Sequence, residues 1–511
     1  MSNKSLTAVK LFLIFIIAVV LAVFASLDIK RRGTDETDYM YATLEGRKIN
    51  ILRSQDKYYL FLPSFAEEAD ISYSKEAKKH DITVLRSENI PAVFISTNSG
   101  SIDSILEDKN NTESGKISVI DENGNTLAKT GLKSLKGRGN YSWSNWEKKP
   151  FGIKLKKEIS VPGLGTGDEF ALLANASDGT LIRNDIAREL ETKVGVKYAG
   201  KGLFADLYIN GDYMGNYYIC RNISIGVNDI DIKDMEEQKK SLLGKSNPDA
   251  LKVYETPVIK GWNIPDADDI SGGYLVEREF KERYALEYGE IKSGFITPGN
   301  EHFVVKSPGY CSVEEIKYIS GCFEEAEGAL LSKDLVNPFT QKGVEEYIDI
   351  DSFAKRYLIE ETLKNYDGGV SSLFYYKDSD TVDGRIFAGP GWDFDMSLGN
   401  YLDWMSFSLE NGEGLALMNS TEGVTVWYIN LLKDKEFLDL VKKDYVGAVV
   451  PYYEWLLSSG LDEYERKLSP SLKMDRIRWN GMYQDDPERS YDLLRQFITE
   501  RKAFLDGEWT G

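Results

Sequence analysis

Histidine is almost missing from this chain: it has two, His80 and His302, in 511 residues. That leaves almost no room for Ser-His-Asp or Cys-His nucleophiles, or for a His-rich zinc site. Cysteine is nearly as scarce, at three (Cys220, Cys311 and Cys322), so no disulfide scaffold carries the fold. Cys311 and Cys322 are a candidate pair, and structural free thiols are the equal alternative. An excess of positive charge is also absent. Against 82 Asp+Glu stand 62 Lys+Arg, a net charge of −20 at pH 7. Phosphate backbones are repelled by such a surface, which disfavours nucleic acid and favours a basic protein partner. No internal repeat or low-complexity tract breaks the chain. What remains is 42% apolar and 12% aromatic, a globular composition long enough for two or three domains. Catalysis in such a chain falls to carboxylates, lysine and bound cofactors.

Residues 11–27 (LFLIFIIAVVLAVFASL) are apolar and uncharged, with Lys10 before them and Lys30, Arg31 and Arg32 after. The stretch is short for a spanning helix and long for a signal core, so a membrane anchor and a cleaved signal both fit. Either one exports the rest of the chain. Residues 1–30 are thus read as a signal or anchor, and 31–87 as a charged tether followed by a small β module. From residue 88 onward the chain reads as one large domain. Strands are predicted at 92–96, 117–120, 151–155, 204–209 and 215–219, with a helix over 181–192 for which Asp178 is a candidate cap. Residues 229–268 are polar and acid-rich and read as an insertion or mobile loop. A helix over 351–364 is expected to stop at Gly368-Gly369, and a last helix to start at Asp486-Pro487-Glu488 and run to about Leu505.

Between these helices, residues 372–377 and 385–392 read as two strands around a polar turn centred near Thr381. Antiparallel pairing then sets Asp393 opposite roughly Gly369, close to Asp367, because paired strands lie ~4.8 Å apart. An Asp after a helix, two short strands and a second Asp is the order in which protein kinases place a catalytic base and a magnesium ligand. Each aspartate alone is more often a turn cap. Trp392-Asp393-Phe394-Asp395, however, sets two acids among bulky apolar residues, where charge needs a cation or donors. Upstream, Lys136-Gly137-Arg138-Gly139-Asn140 is a glycine loop able to approach phosphate oxygens, with Arg138 adding charge. Lys154, in Ile153-Lys154-Leu155, is a candidate phosphate lysine or a plain edge residue. Glu189 is its candidate partner, with Glu191 and Asp185 competing.

The stretches Lys136-Gly137-Arg138-Gly139-Asn140, Lys148-Lys149-Pro150-Phe151-Gly152-Ile153-Lys154-Leu155, Leu172-Leu173-Ala174-Asn175, Leu181-Ile182-Arg183-Asn184, Gly272-Gly273-Tyr274-Leu275-Val276-Glu277 and Trp392-Asp393-Phe394-Asp395 resemble, in order, those of the CotH kinase family of spore-coat and cell-surface proteins. The resemblance implies an α+β, two-lobed atypical protein-kinase fold, with a β-rich lobe over about 88–280 and a helical lobe over about 281–511. It also implies an exported enzyme that uses ATP and Mg2+ or Mn2+ to phosphorylate Ser or Thr of surface or coat proteins, and the surplus of negative charge predicts basic ones. Carried over by motif, Lys154 resembles the ATP-contacting lysine, Glu189 its helix partner, Asp367 the base and Asp393 the metal ligand, with Asp395 a candidate second ligand and Arg138, from the glycine loop, a candidate contact to the nucleotide. Ser372 stands where the family often has asparagine. That departure keeps a catalytically silent coat scaffold open, as the fold itself keeps open adenylyl or glutamyl transfer. A carboxylate-pair glycosidase fits the glycine loop and lysine less well.

Overall fold

The computed structural model describes residues 40–244, 251–401, 411–415, 425–483 and 487–510. The chain forms two compact units, one of residues up to Leu60 together with Ala69–Thr83, the other of Phe61–Glu68 and Val84–Gly511. The first contains short paired strands, Tyr41–Leu44 lying antiparallel between Arg47–Asn50 and Ile71–Tyr73. The apolar stretch at 11–27 and the charged tether after it lie outside the described residues. Among those described, no helix is long and apolar enough to cross a membrane.

The second unit begins with a closed seven-stranded barrel. Its strands are β1 (Ala92–Thr97), β2 (Glu113–Ile120), β3 (Thr126–Gly137), β4 (Phe151–Val161), β5 (Gly165–Leu173), β6 (Gly202–Ile209) and β7 (Asp212–Arg221), in the spatial order β4-β5-β7-β6-β1-β2-β3. Alternation along each strand fills the interior. Val93 and Ile95 of β1, Leu132 and Leu135 of β3, and Phe151, Ile153 and Leu155 of β4 are all buried in one cluster. Helix α1 (Arg183–Val194) starts two residues later than the sequence suggests, and Asp178 secures it by accepting from the Arg183 backbone N–H at 2.9 Å.

A second seven-stranded sheet follows, of β8 (Val253–Glu255), β9 (Ile259–Trp262), β10 (Tyr274–Glu279), β11 (Ser293–Ile296), β12 (His302–Ser307), β13 (Leu373–Lys377) and β14 (Ile386–Ala388). Its order is β8-β9-β11-β12-β10-β13-β14. Residues 229–268 are therefore not a loop: they supply the helix Met235–Leu243 and the two strands β8 and β9 at one side of the sheet. Their polarity reflects an exposed edge. The lobe boundary expected near residue 280 falls inside this sheet, because β10 pairs with β12 on one side and β13 on the other. Helices α2 (Val313–Leu330) and α3 (Ile350–Leu363) pack on the sheet in a large aromatic-rich core that includes Phe303, Phe323, Phe353, Tyr375 and Trp427. Helix α3 is capped by Asp349 and ends at Lys364, whose left-handed φ of 50° stops it before the glycine pair is reached. Helices α4 (Leu461–Arg478) and α5 (Pro487–Trp509) close the chain. The cap expected for α5, Asp486, lies outside the described residues. Helix α4 binds the barrel through the fully buried Asp475, which pairs with Lys148 at 2.6 Å and accepts from the Asn216 N–H. The architecture is mixed α and β, as expected. All three cysteines are free thiols, so Cys311 and Cys322 do not pair.

Candidate active site

Two loops meet at the end of the β13–β14 hairpin. Tyr375 lies opposite Ala388 and Lys377 opposite Ile386, which centres the turn between Thr381 and Val382. Extending that register sets Asp393 across from residue 370, within the turn that Asp367 opens: the Val370 N–H donates to the Asp367 carbonyl at 2.8 Å. The loops are joined by backbone. Tyr366 N–H donates to the Met396 carbonyl at 3.1 Å, and Leu398 N–H to that of Leu363 at 2.8 Å. Asp393 itself has a left-handed φ of 59°, uncommon outside glycine but tolerated by aspartate. The backbone conformation is held by its surroundings.

Those surroundings begin with Glu191 of α1. Its carboxylate accepts from the Gly391 N–H at 2.6 Å and lies 3.5 Å from the Arg356 guanidinium. Arg356 also pairs with Glu360, which in turn accepts from the Asn365 side chain at 2.9 Å. One buried chain of charges thus runs from the Asp393 loop to the Asp367 loop. Gly391 has to be glycine here, since a Cβ would sit 2.4 Å from both Glu191 and Arg356. On the other side, Asn184 accepts from the Phe394 N–H at 3.0 Å and is itself bonded to Asn175. Arg183 donates to the Ser397 carbonyl at 2.9 Å. Arg356→Met removes the ion-pair partner of both Glu191 and Glu360, and it is expected to lower unfolding free energy by about 3 kcal/mol. Urea titration of the variant against the wild type measures this.

The carboxyls these loops present line one cleft of about 1670 Å3 together with Arg138, Lys136, Ser372 and Trp392. Burial, then the charges of Asp393 and Asp395, push the Asp367 carboxyl up to about 7. Burial and the Asp395 charge push Asp393 up to about 6 against the pull of Arg138. Asp395 is raised by burial, although it accepts from the Ser177 hydroxyl at 2.7 Å. Three acids therefore crowd a low-dielectric space and resist simultaneous ionisation. The Arg138 guanidinium stacks 5.0 Å from the Trp392 ring, and its Nη1 is buried with no hydrogen-bond partner. A buried donor without an acceptor beside crowded carboxylates suits an anionic ligand accompanied by a cation. Among the described residues, no three His, Cys, Asp or Glu side chains are gathered tightly enough to cage a metal. Asp393 and Asp395 are the oxygen donors on offer, an arrangement that a cation completed by ligand phosphates and water can use.

Asp367, Asp393, Asp395 and Arg138 are thus brought together. Lys154 and Glu189 are not. On β4, Ile153 and Leu155 point into the barrel, so Lys154 points out and ion-pairs with Glu169 of β5, away from the cleft. Glu189 is exposed on α1. The inward carboxylate of that helix is Glu191, two residues on, and its partner is Arg356 rather than a lysine. The holding residues Asn175, Asn184 and Arg183 were visible as part of the quoted stretches. Arg356 and Glu360 had no signal beyond their helical i,i+4 spacing.

No curated protein sequence matches the chain. Residues 135–286 and 331–505 match the family model described as CotH kinase protein. These segments carry the glycine loop, α1, β10, the β13–β14 hairpin and both aspartate loops, and the protein belongs to the CotH kinase family.

Proposed function

We propose that the protein is an exported kinase, dependent on ATP and Mg2+ or Mn2+, that phosphorylates Ser or Thr of basic surface or spore-coat proteins. The observation that carries this reading is the convergence of three half-buried carboxyls and the unpartnered Arg138 Nη1 on one cleft. When bound, the metal–nucleotide supplies the transferable γ-phosphoryl group and the cationic charge that screens it. The chain's own residues do the rest. Asp393 and Asp395 offer oxygens to the cation. Arg138 donates to an anionic oxygen, its guanidinium held flat by Trp392. Asp367, whose carboxyl is raised by burial and by the neighbouring acids, accepts the proton of the incoming hydroxyl. The glycine loop lets backbone approach the ligand, and the apolar stretch at 11–27 carries the domain out of the cytoplasm, anchored or released.

A net charge of −20 supports lysine-rich acceptor segments. Phosphate transfer to basic and acidic serine peptides at low salt tests the reading, with the mass of the product identifying the transferred group. Basic peptides are expected to react faster. Equal rates remove the charge preference, and no transfer to either peptide removes the kinase reading.

Ser372 favours a second reading, a silent scaffold that retains the fold and binds partners. It lines the cleft almost fully buried, where its single hydroxyl is a weaker cation ligand than an amide carbonyl. Calorimetry with millimolar Mg-ATP separates the two readings, since a scaffold shows no heat of binding.

A further inference from the structure

A second cavity, of about 250 Å3, adjoins the Asp393 loop; its wall includes Arg188, Gly200, Lys201, Arg221, Pro390 and Gly391. Arg188 comes from α1 and is buried, with 6% of its surface exposed. Among the described residues its guanidinium makes no hydrogen bond and no ion pair. Stacking holds it in place, 5.2 Å from the Trp392 ring and 6.0 Å from that of Tyr218. Gly200 makes room for it, since a Cβ there would fall 1.7 Å from Arg188 Nη1. The acids whose charge reaches Arg188, Glu191 and Asp185, are bonded elsewhere. Glu191 serves Gly391 and Arg356 through Oε1, while its buried Oε2 has no hydrogen-bond partner, and Asp185 accepts from the Tyr218 and Tyr464 hydroxyls. Those charges offset part of the cost of burying Arg188 but leave its N–H donors without an acceptor.

The other charges of the wall do not supply that anion. Asp229 is the acid of the cavity, and Arg221 takes it in a two-point ion pair, Nε to Oδ1 and Nη2 to Oδ2, each at 2.5 Å. Its Oδ2 also accepts from the Ser224 hydroxyl. Lys201 is exposed and, among the described residues, has no acidic partner. The cavity is thus left with two positive charges that no carboxylate touches, one deep and one at the rim. Asn222, Ser224 and Asn228 add polar groups of the kind that orient an oxyanion.

We propose that this cavity, which adjoins the nucleotide cleft and shares Asn222 and Ile223 with its wall, binds a phosphate-sized oxyanion between Arg188 and Lys201. The inference does not depend on the kinase reading, because neither residue is one assigned to phosphoryl transfer. The ligand is a free oxyanion such as inorganic phosphate; the phosphoryl end of a nucleotide is the competing occupant, and the experiment separates the two.

Inorganic phosphate is titrated calorimetrically into the full-length protein, into Asp393→Asn, and into wild type saturated with ATP. Saturable binding is expected in all three. Lys201→Glu, at an exposed position that does not threaten folding, weakens it by about tenfold or more, the worth of one charge-assisted contact. Arg188→Gln is expected to weaken it at least as much. No saturable binding, or binding unchanged in Lys201→Glu, overturns the proposal. Loss of phosphate binding in the presence of ATP also overturns it, by assigning the anion to the nucleotide itself.

Discussion

Asp393→Asn is expected to lower metal-dependent phosphate transfer by about a thousandfold, the rate equivalent of some 4 kcal/mol of electrostatic stabilisation. The change is nearly isosteric, and asparagine tolerates the left-handed backbone that residue 393 adopts at φ 59°. The loop therefore keeps its shape, and what disappears is one half-buried negative charge. Without a cation that charge is a burden: burial and Asp395 raise its pKa together. The variant in chelator should accordingly melt no lower than the wild type, while its affinity for Mg-nucleotide falls. Loss of affinity without loss of stability marks a cation ligand, whereas a turn cap would give the reverse. Thermal melts in chelator and calorimetry with Mg-ATP supply both readouts, and wild-type turnover in this variant would remove the metal role.

Asp367→Asn should behave differently. A proton acceptor contributes about 10²–10⁴ to turnover and little to nucleotide binding, so kcat falls while the affinity for Mg-ATP stays near that of wild type. Parallel loss of both would mean that Asp367 holds the ligand instead. The same residue predicts a pH signature. Its carboxyl is pushed from 3.8 up to about 7 in the folded chain. Between those values the native state holds a proton that the unfolded state has lost, so folding stability drops as pH rises through that window and levels off above it. A side-chain amide at this position cannot ionise, and the variant escapes the drop. In chelator, the melting temperature of Asp367→Asn relative to wild type is therefore expected to climb from pH 4 to pH 7, and a flat difference would show that the acid is not buried in solution.

Much of this site was legible because short-range rules govern it. The hairpin register followed from two apolar runs and a polar turn, and its turn centre lies within one residue of the observed one. Strand alternation also explains the failure at Lys154. A lysine between Ile153 and Leu155 of a barrel whose interior holds those two must face outward, and that interior is defined by six other strands. On α1, Glu189 and Glu191 project from the helix about 200° apart. Which of them faces inward depends on Arg356, 165 residues further along.

The amino-acid order by itself determined the mixed fold, the strands and helices near the site, the convergence of Asp367 and Asp393, and the family, since these rest on local periodicity, turn chemistry and contiguous motifs. Tertiary structure alone decided that Lys154 and Glu189 face away from those acids, which charges hold the loops, and that residues 253–262 join a sheet rather than form a loop. Such choices belong to burial and to Coulomb contacts between segments far apart in the chain, and neither quantity exists until the chain has closed on itself.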